Sequence, residues 1–266
     1  MTTTLRPTAP ERRSDDGGRS RSFEVCVNSR PVGTVELTTD ARFGPHVGRI
    51  SALAIDERDR GRGRGTVAAL AAEEVLRTWG CGQIQVSVPA PAETALGLAG
   101  ALGYTERSRT MTKPLATAPA LPAGSIPRPM DEEESRRWLA HARQRYVRHW
   151  TELGVPPARA EAMAVRDHDG ALGTTLAVLS HDGEDVGTLW VGPHADGAHV
   201  FDVEVGAAHR GRGHGRTLML LAEREALAAG AVALGLNVFA GNEPARRLYD
   251  SLGYETTVVH LYKALI

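Results

Sequence analysis

We predict from the sequence an α/β (α+β) protein made of two tandem domains, each a mixed sheet flanked by helices. The chain has 266 residues, enough for two compact domains that each bury a core. The spacing of apolar residues in the second half predicts the element order ααβββαβαβ. This order is typical of a mixed sheet with helices packed on it. The two halves also match each other at a fixed offset, so we expect both to share one fold.

The elements of the second half follow from local patterns in the sequence. Aromatic and apolar residues at helical intervals after an acidic first turn predict a helix over 131–150, and prolines begin another over 156–168. Two β-rich runs around Asp182-Gly183 predict a hairpin. The remaining predicted elements are a strand over 198–206, a helix over 212–229, a strand over 234–239, a short helix over 243–252 and a closing strand over 256–265.

The duplication becomes visible when residue n is set against residue n+150. The match continues without a gap from a glycine-rich turn to Leu102-Gly103-Tyr104 against Leu252-Gly253-Tyr254, and to Lys113 against Lys263. The matching residues of the turn are Arg60, Gly61, Arg62, Gly63 and Gly65 in the first half and Arg210, Gly211, Arg212, Gly213 and Gly215 in the second. The sequence is therefore an internal duplication.

A segment rich in proline and alanine, PLATAPALPAGSIPRP, lies near the middle of the chain and carries almost no charge. Such a composition favours an extended, semi-rigid connection. We therefore predict a first domain over 1–113, a linker over 114–127 and a second domain over 128–266. The segment over 11–21 has mixed charge and no period, which predicts a mobile loop.

Composition excludes several classes of protein. Lys and Arg number 31 against 32 Asp and Glu, which argues against a nucleic-acid binder with its strong basic excess. Cys26 and Cys81 are too few for a disulfide framework, and the first residues lack the apolar core of a signal peptide. No run approaches the roughly 18 apolar residues of a membrane span. We expect a cytoplasmic protein, monomeric or homodimeric, that binds neither nucleic acid nor membrane.

The two glycine-rich turns, HRGRGHGR and DRGRGRGT, lie between a strand and a helix. Glycine lets the backbone approach a ligand closely, and a helix N-terminus presents free N–H groups, so this setting suits a phosphate. An RGG-like nucleic-acid segment or a solvated basic turn are the alternatives. The candidate binding residues are Arg210, Gly211, Arg212, Gly213, His214, Gly215 and Arg216, with a possible vestigial site at Arg60, Gly61, Arg62, Gly63, Arg64 and Gly65.

At these residues the sequence resembles the GNAT N-acetyltransferases, whose central helix opens with Arg/Gln-x-x-Gly-x-Gly/Ala. Arg210-x-x-Gly213-x-Gly215 fits, and the segment NVFAGNEPARRLYDSLGY resembles the last motif of the family. The resemblance covers 128–266 fully and the first half partially, a tandem layout like that of the mycothiol synthases. It implies two GNAT-like domains with mostly antiparallel sheets, and acetyl-CoA as cosubstrate. The residues that it places on acetyl-CoA are the turn together with Val203, Val205, Asn237 and Asn242.

Two residues are candidates for acid and base catalysis. The resemblance places Tyr249 as the acid that protonates the leaving thiolate; alternatively it is an apolar contact of a short helix. Asn242 precedes Glu-Pro, so helix capping alone also explains it. Glu204 alternates with apolar residues on a predicted central strand, where burial would raise a carboxyl pKa and tune a general base. It is preferred over Asp202, and the alternatives are a solvated face or binding of a cationic acceptor.

The resemblance implies an acceptor pocket lined by the first helices of the second domain and by neighbouring strands, and we expect the acceptor to be a small-molecule amine. Aromatic residues at helical spacing usually pack in a core, so most of the candidates are expected there. The ten histidines include no H-x-x-x-H pattern, so we predict no metal. The candidate lining residues are Trp138, Tyr146, His149, Trp150 and Trp190.

The first domain departs from the family pattern where chemistry is needed. The positions of Glu204, Asn242 and Tyr249 are occupied there by Ala54, Ala92 and Ala99. We expect a degenerate, noncatalytic domain, and in the second domain an acetyl-CoA-dependent N-acetyltransferase that works by direct attack of a primary amine. A noncatalytic acyl-CoA sensor and a nucleic-acid module are the alternatives, and the sequence does not name the acceptor.

Overall fold

The computed structural model describes residues 3–15, 17–169, 174–194 and 197–265. It forms two compact units. Unit 1 consists of Met1–Ser108 and Val258–Ile266, and unit 2 of Arg109–Thr257. Each unit therefore includes a segment that belongs, by sequence, to the other repeat. The predicted limits 1–113 and 128–266 follow chain order, so they delimit the repeats and stay a prediction for the domains; residues 1 and 266 lie outside the described part.

Unit 1 is a sheet carrying two helices. Its sheet has the order β1-β3-β4-β5-β6-β13, with β2 paired to β3. The pair β5 and β6 is parallel, and the other pairs of this sheet are antiparallel. The elements are β1 (Thr3–Pro7), β2 (Arg12–Arg13), β3 (Arg19–Val27), β4 (Arg30–Asp40), β5 (Gly44–Ile55), α1 (Arg64–Thr78), β6 (Gln83–Pro89), α2 (Glu93–Ala101) and, from the end of the chain, β13 (Glu255–Ala264).

In unit 2 the strands have the order β7-β12-β11-β10-β9-β8. The strands β11 and β12 are parallel, and the pairs among β8, β9, β10 and β11 are antiparallel. The elements are β7 (Thr105–Pro114), β8 (Ser125–Pro129), α3 (Glu132–Glu152), α4 (Pro157–His168), β9 (Thr175–His181), β10 (Glu184–His194), β11 (Gly197–Val205), α5 (His214–Ala228), β12 (Ala233–Phe239) and α6 (Glu243–Ser251). The predicted fold class, a mixed and mostly antiparallel sheet flanked by helices in each half, is confirmed.

The helices of unit 2 begin and end for local reasons. Asp131 caps α3 by accepting from the Glu134 N–H, and the Glu134 side chain accepts from the Asp131 N–H in return. Pro157 begins α4, and the turn between β9 and β10 uses positive φ at Asp182 and Gly183. The prolines of α4 and the turn at Asp182-Gly183 are signals that the sequence prediction used, whereas the capping box of α3 adds to the acidic first turn that it relied on.

Each unit has its own core beneath its long glycine-turn helix. In unit 2, α5 packs on β10 and β11 through Leu218, Met219, Leu221 and Ala222. In unit 1, Ala72 and Leu76 of α1 lie in the core and correspond to Ala222 and Ala226 of α5. Met111 of β7 belongs to the core of unit 2, and Leu261 of β13 to the core of unit 1. The last strands are therefore core elements of the unit that receives them.

The exchange of last strands is marked by two buried ion pairs. Lys113 of β7 donates to Glu223 of α5 at 2.8 Å within unit 2. Lys263 of β13 donates to Glu73 of α1 at 2.7 and 3.0 Å within unit 1. The two lysines are equivalent in the repeat, as are the two buried glutamates. Each lysine thus neutralises the glutamate of the opposite repeat, which the repeat pattern alone does not predict.

A double-mutant cycle tests the strand exchange. Lys113→Met leaves buried Glu223 without its counter-charge, so we expect the free energy of unfolding to fall by at least about 2 kcal/mol. Combining it with Glu223→Gln should be non-additive by about 1 kcal/mol or more, since the two side chains are in contact. Chemical denaturation of the four proteins measures both quantities.

The matched control is the cycle that pairs Lys113→Met with Glu73→Gln. These residues belong to the same repeat, and in an exchanged fold they make no pair, so their effects should add. Coupling in this second cycle, with additivity in the first, would mean that each repeat keeps its own last strand.

Two segments differ from the sequence expectation. The predicted linker over 114–127 ends inside β8, which pairs with β9 and carries its prolines on an edge strand, where a missing N–H is tolerated. The segment over 11–21, expected to be a mobile loop, contains β2 and the start of β3, paired through Arg12–Ser20 and Arg13–Arg19; residue 16 lies outside the description.

Among the helices of the described residues, none has a stretch long and apolar enough to cross a bilayer.

Candidate active site

The glycine turn of unit 2 connects β11 to α5. After β11 ends at Val205, a short 3-10 turn over Ala207–His209 leads to Gly211 and Gly213, whose φ angles are +75° and +89°. Only glycine adopts this backbone without strain. Arg210 Nε donates to the Val205 carbonyl at 3.2 Å, so this side chain fastens the turn to the end of the strand.

The start of α5 has free backbone donors. Gly213 is the N-cap, and in the described part of the chain no side chain caps this helix; its first backbone bond runs from the Thr217 N–H to the Gly213 carbonyl. A Cβ built on Gly211 or Gly213 meets nothing within 4 Å, so the space beside the turn is open. Arg212 and Arg216 are exposed next to it. Open space, free N–H groups and two guanidinium groups fit a diphosphate.

The imidazole of His214 does not face this space. His214 is buried, and its ring lies 4.9 Å from that of His181 and 6.3 Å from that of His209. Burial, together with these two histidines and Arg212, lowers the pKa of His214. The backbone N–H of His214, rather than its imidazole, is thus the group left available to an anion.

The turn of unit 1 repeats this backbone closely. Gly61 and Gly63 have φ angles of +70° and +71°, and Arg60 Nε donates to the Ile55 carbonyl at 2.9 Å. The side chains beneath the turn differ: Arg64 is buried in an ion pair with Asp59. The backbone of the glycine turn is the same in the two repeats, whereas the Arg64 guanidinium is paired with a carboxylate.

A gap opens between β11 and β12 of unit 2. Their ladder consists of three pairs, Ala198–Leu234, His199–Gly235 and Val200–Leu236. Beyond it a register shift between β10 and β11 leaves Phe201 without a cross-strand partner in the register, and β11 continues to Val205. The side chains of Val203 and Val205 pack against the core, so their backbone is what they offer to a ligand in the gap. Asn237 is exposed on the β12 side.

The opposite face of β11 carries the acidic pair. Asp202 and Glu204 both pair with Arg145 of α3: Nη2 lies 2.9 Å from Asp202 Oδ2, and Nη1 contacts Glu204 Oε2. Burial raises the pKa of Asp202, and the Arg145 charge partly offsets this. The carboxylate expected at Glu204 is on the predicted strand and face, but it has a guanidinium partner.

Arg145 is the site residue that the sequence analysis missed. It follows Trp138 and Ala142 and precedes His149 on the inward stripe of α3, at positions spaced by three or four residues. An arginine in such a stripe is a signal, because two carboxylates on a covered sheet face require a counter-charge.

Tyr249 and Asn242 lie on α6. Tyr249 is buried at 6% exposure within the core cluster, and its ring centroid lies 6.0 Å from that of Tyr254. Burial, with a contribution from the charge of Asp202, raises the pKa of Tyr249 to about 12, so the phenol is protonated at neutral pH. Asn242 caps α6 by accepting from the Ala245 N–H at 3.3 Å, as the capping alternative supposed.

Most of the predicted lining aromatics are core residues. Trp150 and Trp190 are buried, and Trp138 packs edge-on against Trp190 at 5.8 Å. Tyr146 donates to Asp167 at 2.5 Å. The sequence analysis missed Phe239, which ends β12, is 37% exposed and contacts His149 at 4.2 Å between ring centroids. Phe239 of β12 and the 39% exposed Phe201 of β11 are exposed large apolar side chains on the two strands that border the gap.

The described residues contain no group of three or more His, Cys, Asp or Glu arranged to hold a metal ion. The rings of His181, His209 and His214 form a cluster in which the centroids of His181 and His209 lie 4.9 and 6.3 Å from that of His214. Where unit 2 has this cluster, unit 1 has the ion pair of Asp59 with Arg64.

Comparison with known proteins identifies the fold and the family. A family model described as the acetyltransferase (GNAT) family matches residues 2–104 and 132–254. A mycothiol acetyltransferase from Thermomonospora curvata is 30% identical over 250 residues, 89% of this chain and 80% of that protein. An uncharacterized N-acetyltransferase from Bacillus subtilis, YycN, is 27% identical over 152 residues, 52% of this chain and 96% of that protein.

Solved structures share the fold over most of the chain. A GCN5-related N-acetyltransferase from Sphaerobacter thermophilus has a TM-score of 0.61 at 20% identity, covering 92% of this chain and 80% of that one. A tandem GNAT protein from the clavulanic acid biosynthesis pathway has a TM-score of 0.50 at 19% identity, covering 96% and 85%. The tandem layout expected from the sequence is confirmed.

Proposed function

The chain belongs to the acetyltransferase (GNAT) family, and from that premise we propose that its second repeat transfers an acetyl group from acetyl-CoA to a primary amine. The observation that carries this proposal is the combination, in unit 2, of an open glycine turn, a gap between parallel strands and the buried phenol of Tyr249. Family membership makes the chain an acyltransferase. The assignment of the active half and of each residue is ours.

The turn and the gap are the parts of unit 2 that would hold acetyl-CoA. The N–H groups of His214, Gly215 and Arg216 would bind the diphosphate, with Arg212 adding charge. The backbone of Val203 and Val205 would pair with the extended arm of the cosubstrate in the gap. Acetyl-CoA supplies an activated thioester there, and the chain supplies the orientation and the proton transfers.

Two proton transfers are needed around the thioester. An ammonium with a pKa of about 10.4 has to lose a proton before it becomes a nucleophile, and we assign its acceptor as Glu204. The departing sulfur, with a free thiol pKa of about 8.5, leaves more readily when it is protonated. Tyr249 keeps its proton at neutral pH and is assigned as this donor.

Unit 1 is assigned as a noncatalytic partner. Its turn keeps the glycine backbone, but alanines occupy the three chemical positions, and Ala92 provides no side-chain cap to α2 in the described structure. Before β3, residues 3–15 and 17–18 contain strands and turns, with no counterpart of α3 and α4. We propose that unit 1 serves as a scaffold, and cofactor binding to its turn is open to test.

The acceptor is proposed to be a small-molecule amine. The likeness to a mycothiol acetyltransferase makes an amino-sugar thiol precursor the first compound to try, followed by polyamines, antibiotic amines and protein amines. Free-thiol release from acetyl-CoA, with the acetylated product identified by mass, tests the proposal. Acetyl-CoA binding without thiol release for any amine of the panel would indicate an acyl-CoA sensor instead. Steeply salt-dependent binding to DNA or RNA would indicate a nucleic-acid-binding module.

A further inference from the structure

The geometry points to a further residue of the proposed reaction. We propose that Arg145 is a positioning residue that occupies the ammonium site of the free enzyme, and that the ammonium of the acceptor displaces it from Glu204. This inference rests on the proposed function. Its basis is the placement of one guanidinium between two carboxylates, with Nη2 on Asp202 at 2.9 Å and Nη1 on Glu204.

The charge of this cluster favours a cationic ligand. One guanidinium faces two carboxylates, and the three side chains are between 24% and 35% exposed. The neighbouring titratable groups do not balance the remaining negative charge: burial lowers the pKa of His168 on α4, and burial keeps Tyr249 on α6 protonated. Farther out, Arg143 pairs with Asp169, and Asp167 accepts from Tyr146. A partly buried net charge is costly, so an incoming cation is favoured at this point.

The two contacts of Arg145 have different roles in the proposal. Its Nη2 contact to Asp202 is retained, because Asp202 lies farther along β11 from the turn than Glu204 does. Its Nη1 contact to Glu204 is replaced by the ammonium, a compact donor that needs only one carboxylate. One proton then moves from the ammonium to the Glu204 carboxylate, which leaves a neutral amine and a neutral carboxylic acid.

The paired state keeps the proposed base in position before the acceptor arrives. In the free enzyme the Nη1 contact of Arg145 holds the Glu204 carboxylate. The displacement then brings the ammonium into direct contact with the carboxylate that is assigned as its base, so that the proton moves across a single hydrogen bond.

Unit 1 provides an internal comparison. The positions of Asp202 and Glu204 are Ala52 and Ala54 there, both exposed. The described part of unit 1 has no helix before β3 that could carry a counterpart of Arg145. The second repeat thus has the guanidinium and both carboxylates, and the described part of the first repeat has no counterpart of any of the three.

The first experiment measures the carboxyl groups without turnover. Carboxyl carbon NMR of protein labelled at Asp and Glu, with Glu204→Gln to assign the signal, gives the pKa of Glu204. We expect Arg145→Met to raise this pKa by about one unit or more and Arg145→Lys to leave it nearly unchanged. Ethylammonium chloride should perturb the Glu204 signal of the wild type, whereas sodium chloride at the same ionic strength should not.

The second experiment uses the fastest amine from the free-thiol panel. In the pH dependence of kcat/KM, the acid limb should move to higher pH by about one unit in Arg145→Met and return in Arg145→Lys. Arg137→Met is the control, because Arg137 lies exposed on the same helix and pairs with Glu133. If Arg145→Met lowered kcat/KM equally at every pH, and left both the acid limb and the Glu204 carboxyl pKa unchanged, the positioning role would be overturned. If the NMR shifts were as expected but no amine were acetylated, the role of Arg145 at the cation site would stand and the proposed transferase reaction would be contradicted.

Discussion

Replacing Gly213 and Gly215 together by alanine is expected to lower kcat/KM for acetyl-CoA by about a hundredfold or more, whereas the matched pair Gly63→Ala and Gly65→Ala changes it by less than about threefold. The first pair alters the turn proposed to bind the diphosphate of the reacting cosubstrate. The second alters the equivalent turn of the unit without the proposed acid and base. Steady-state kinetics on both proteins measures the difference.

The two pairs are matched in their effect on the fold. Gly213 and Gly63 are both N-caps with positive φ, so alanine costs about 1–2 kcal/mol of backbone strain at either position. A Cβ on Gly215 comes within 3.3 Å of Leu248 Cδ2, and one on Gly65 within 3.6 Å of Leu98 Cδ2. In each case the neighbour is the flexible end of a leucine, so similar losses of thermal stability are expected.

The comparison also decides which half is active. If the first-half pair abolished turnover and the second-half pair did not, the active unit would be the opposite of the one proposed. If both pairs abolished turnover with both proteins folded by circular dichroism, the two turns would act together. Acetyl-CoA titration by calorimetry would then show whether unit 1 binds the cosubstrate.

Much of the fold could be predicted because its signals are local. The helix predicted over 131–150 is observed as Glu132–Glu152, and the one predicted over 243–252 as Glu243–Ser251. Both begin at capping residues, Asp131 and Asn242, that the sequence displays directly. The glycine turns were equally visible, since backbone at positive φ favours glycine.

The strand exchange could not be predicted from the same patterns. The last strands of the two repeats and the residues that follow them are equivalent, as in Lys113 with Lys263 and Leu115 with Leu265. Either strand satisfies the same buried glutamate and the same core, so local propensity does not decide between them. Chain connectivity and packing decide, and these are long-range properties.

The candidate site was predicted in its backbone and incompletely in its charges. Glu204 was placed on the correct strand and face because alternation fixes the face. Its partner Arg145 is 59 residues away and lies on a helix with many other arginines. Arginines on an amphipathic helix are usually solvated, so only the charge balance of the strand face distinguishes this one.

The second large effect is expected at the proposed acid. Tyr249→Phe should lower kcat by roughly ten- to a thousandfold with little change in acetyl-CoA affinity, because the ring remains and only the proton donor is lost. The fold should tolerate the change, since Tyr249 packs by its ring among apolar residues. In the wild type, activity should not fall on the alkaline side through Tyr249 until the pH approaches its raised pKa of about 12.

The control for this prediction is Tyr254→Phe, which removes the same hydroxyl from a buried ring 6.0 Å away in the same core. Tyr254 lies next to the Lys113–Glu223 pair, with Lys113 Nζ 5.7 Å from its ring, so we expect an effect on stability and little effect on kcat. Stopped-flow single-turnover measurements, which isolate the acetyl transfer step, distinguish the two variants. If Tyr249→Phe turned over at the wild-type rate in that step, the sulfur would take its proton from another group, and Tyr249 would be a packing residue of α6, as the alternative from its sequence position allowed.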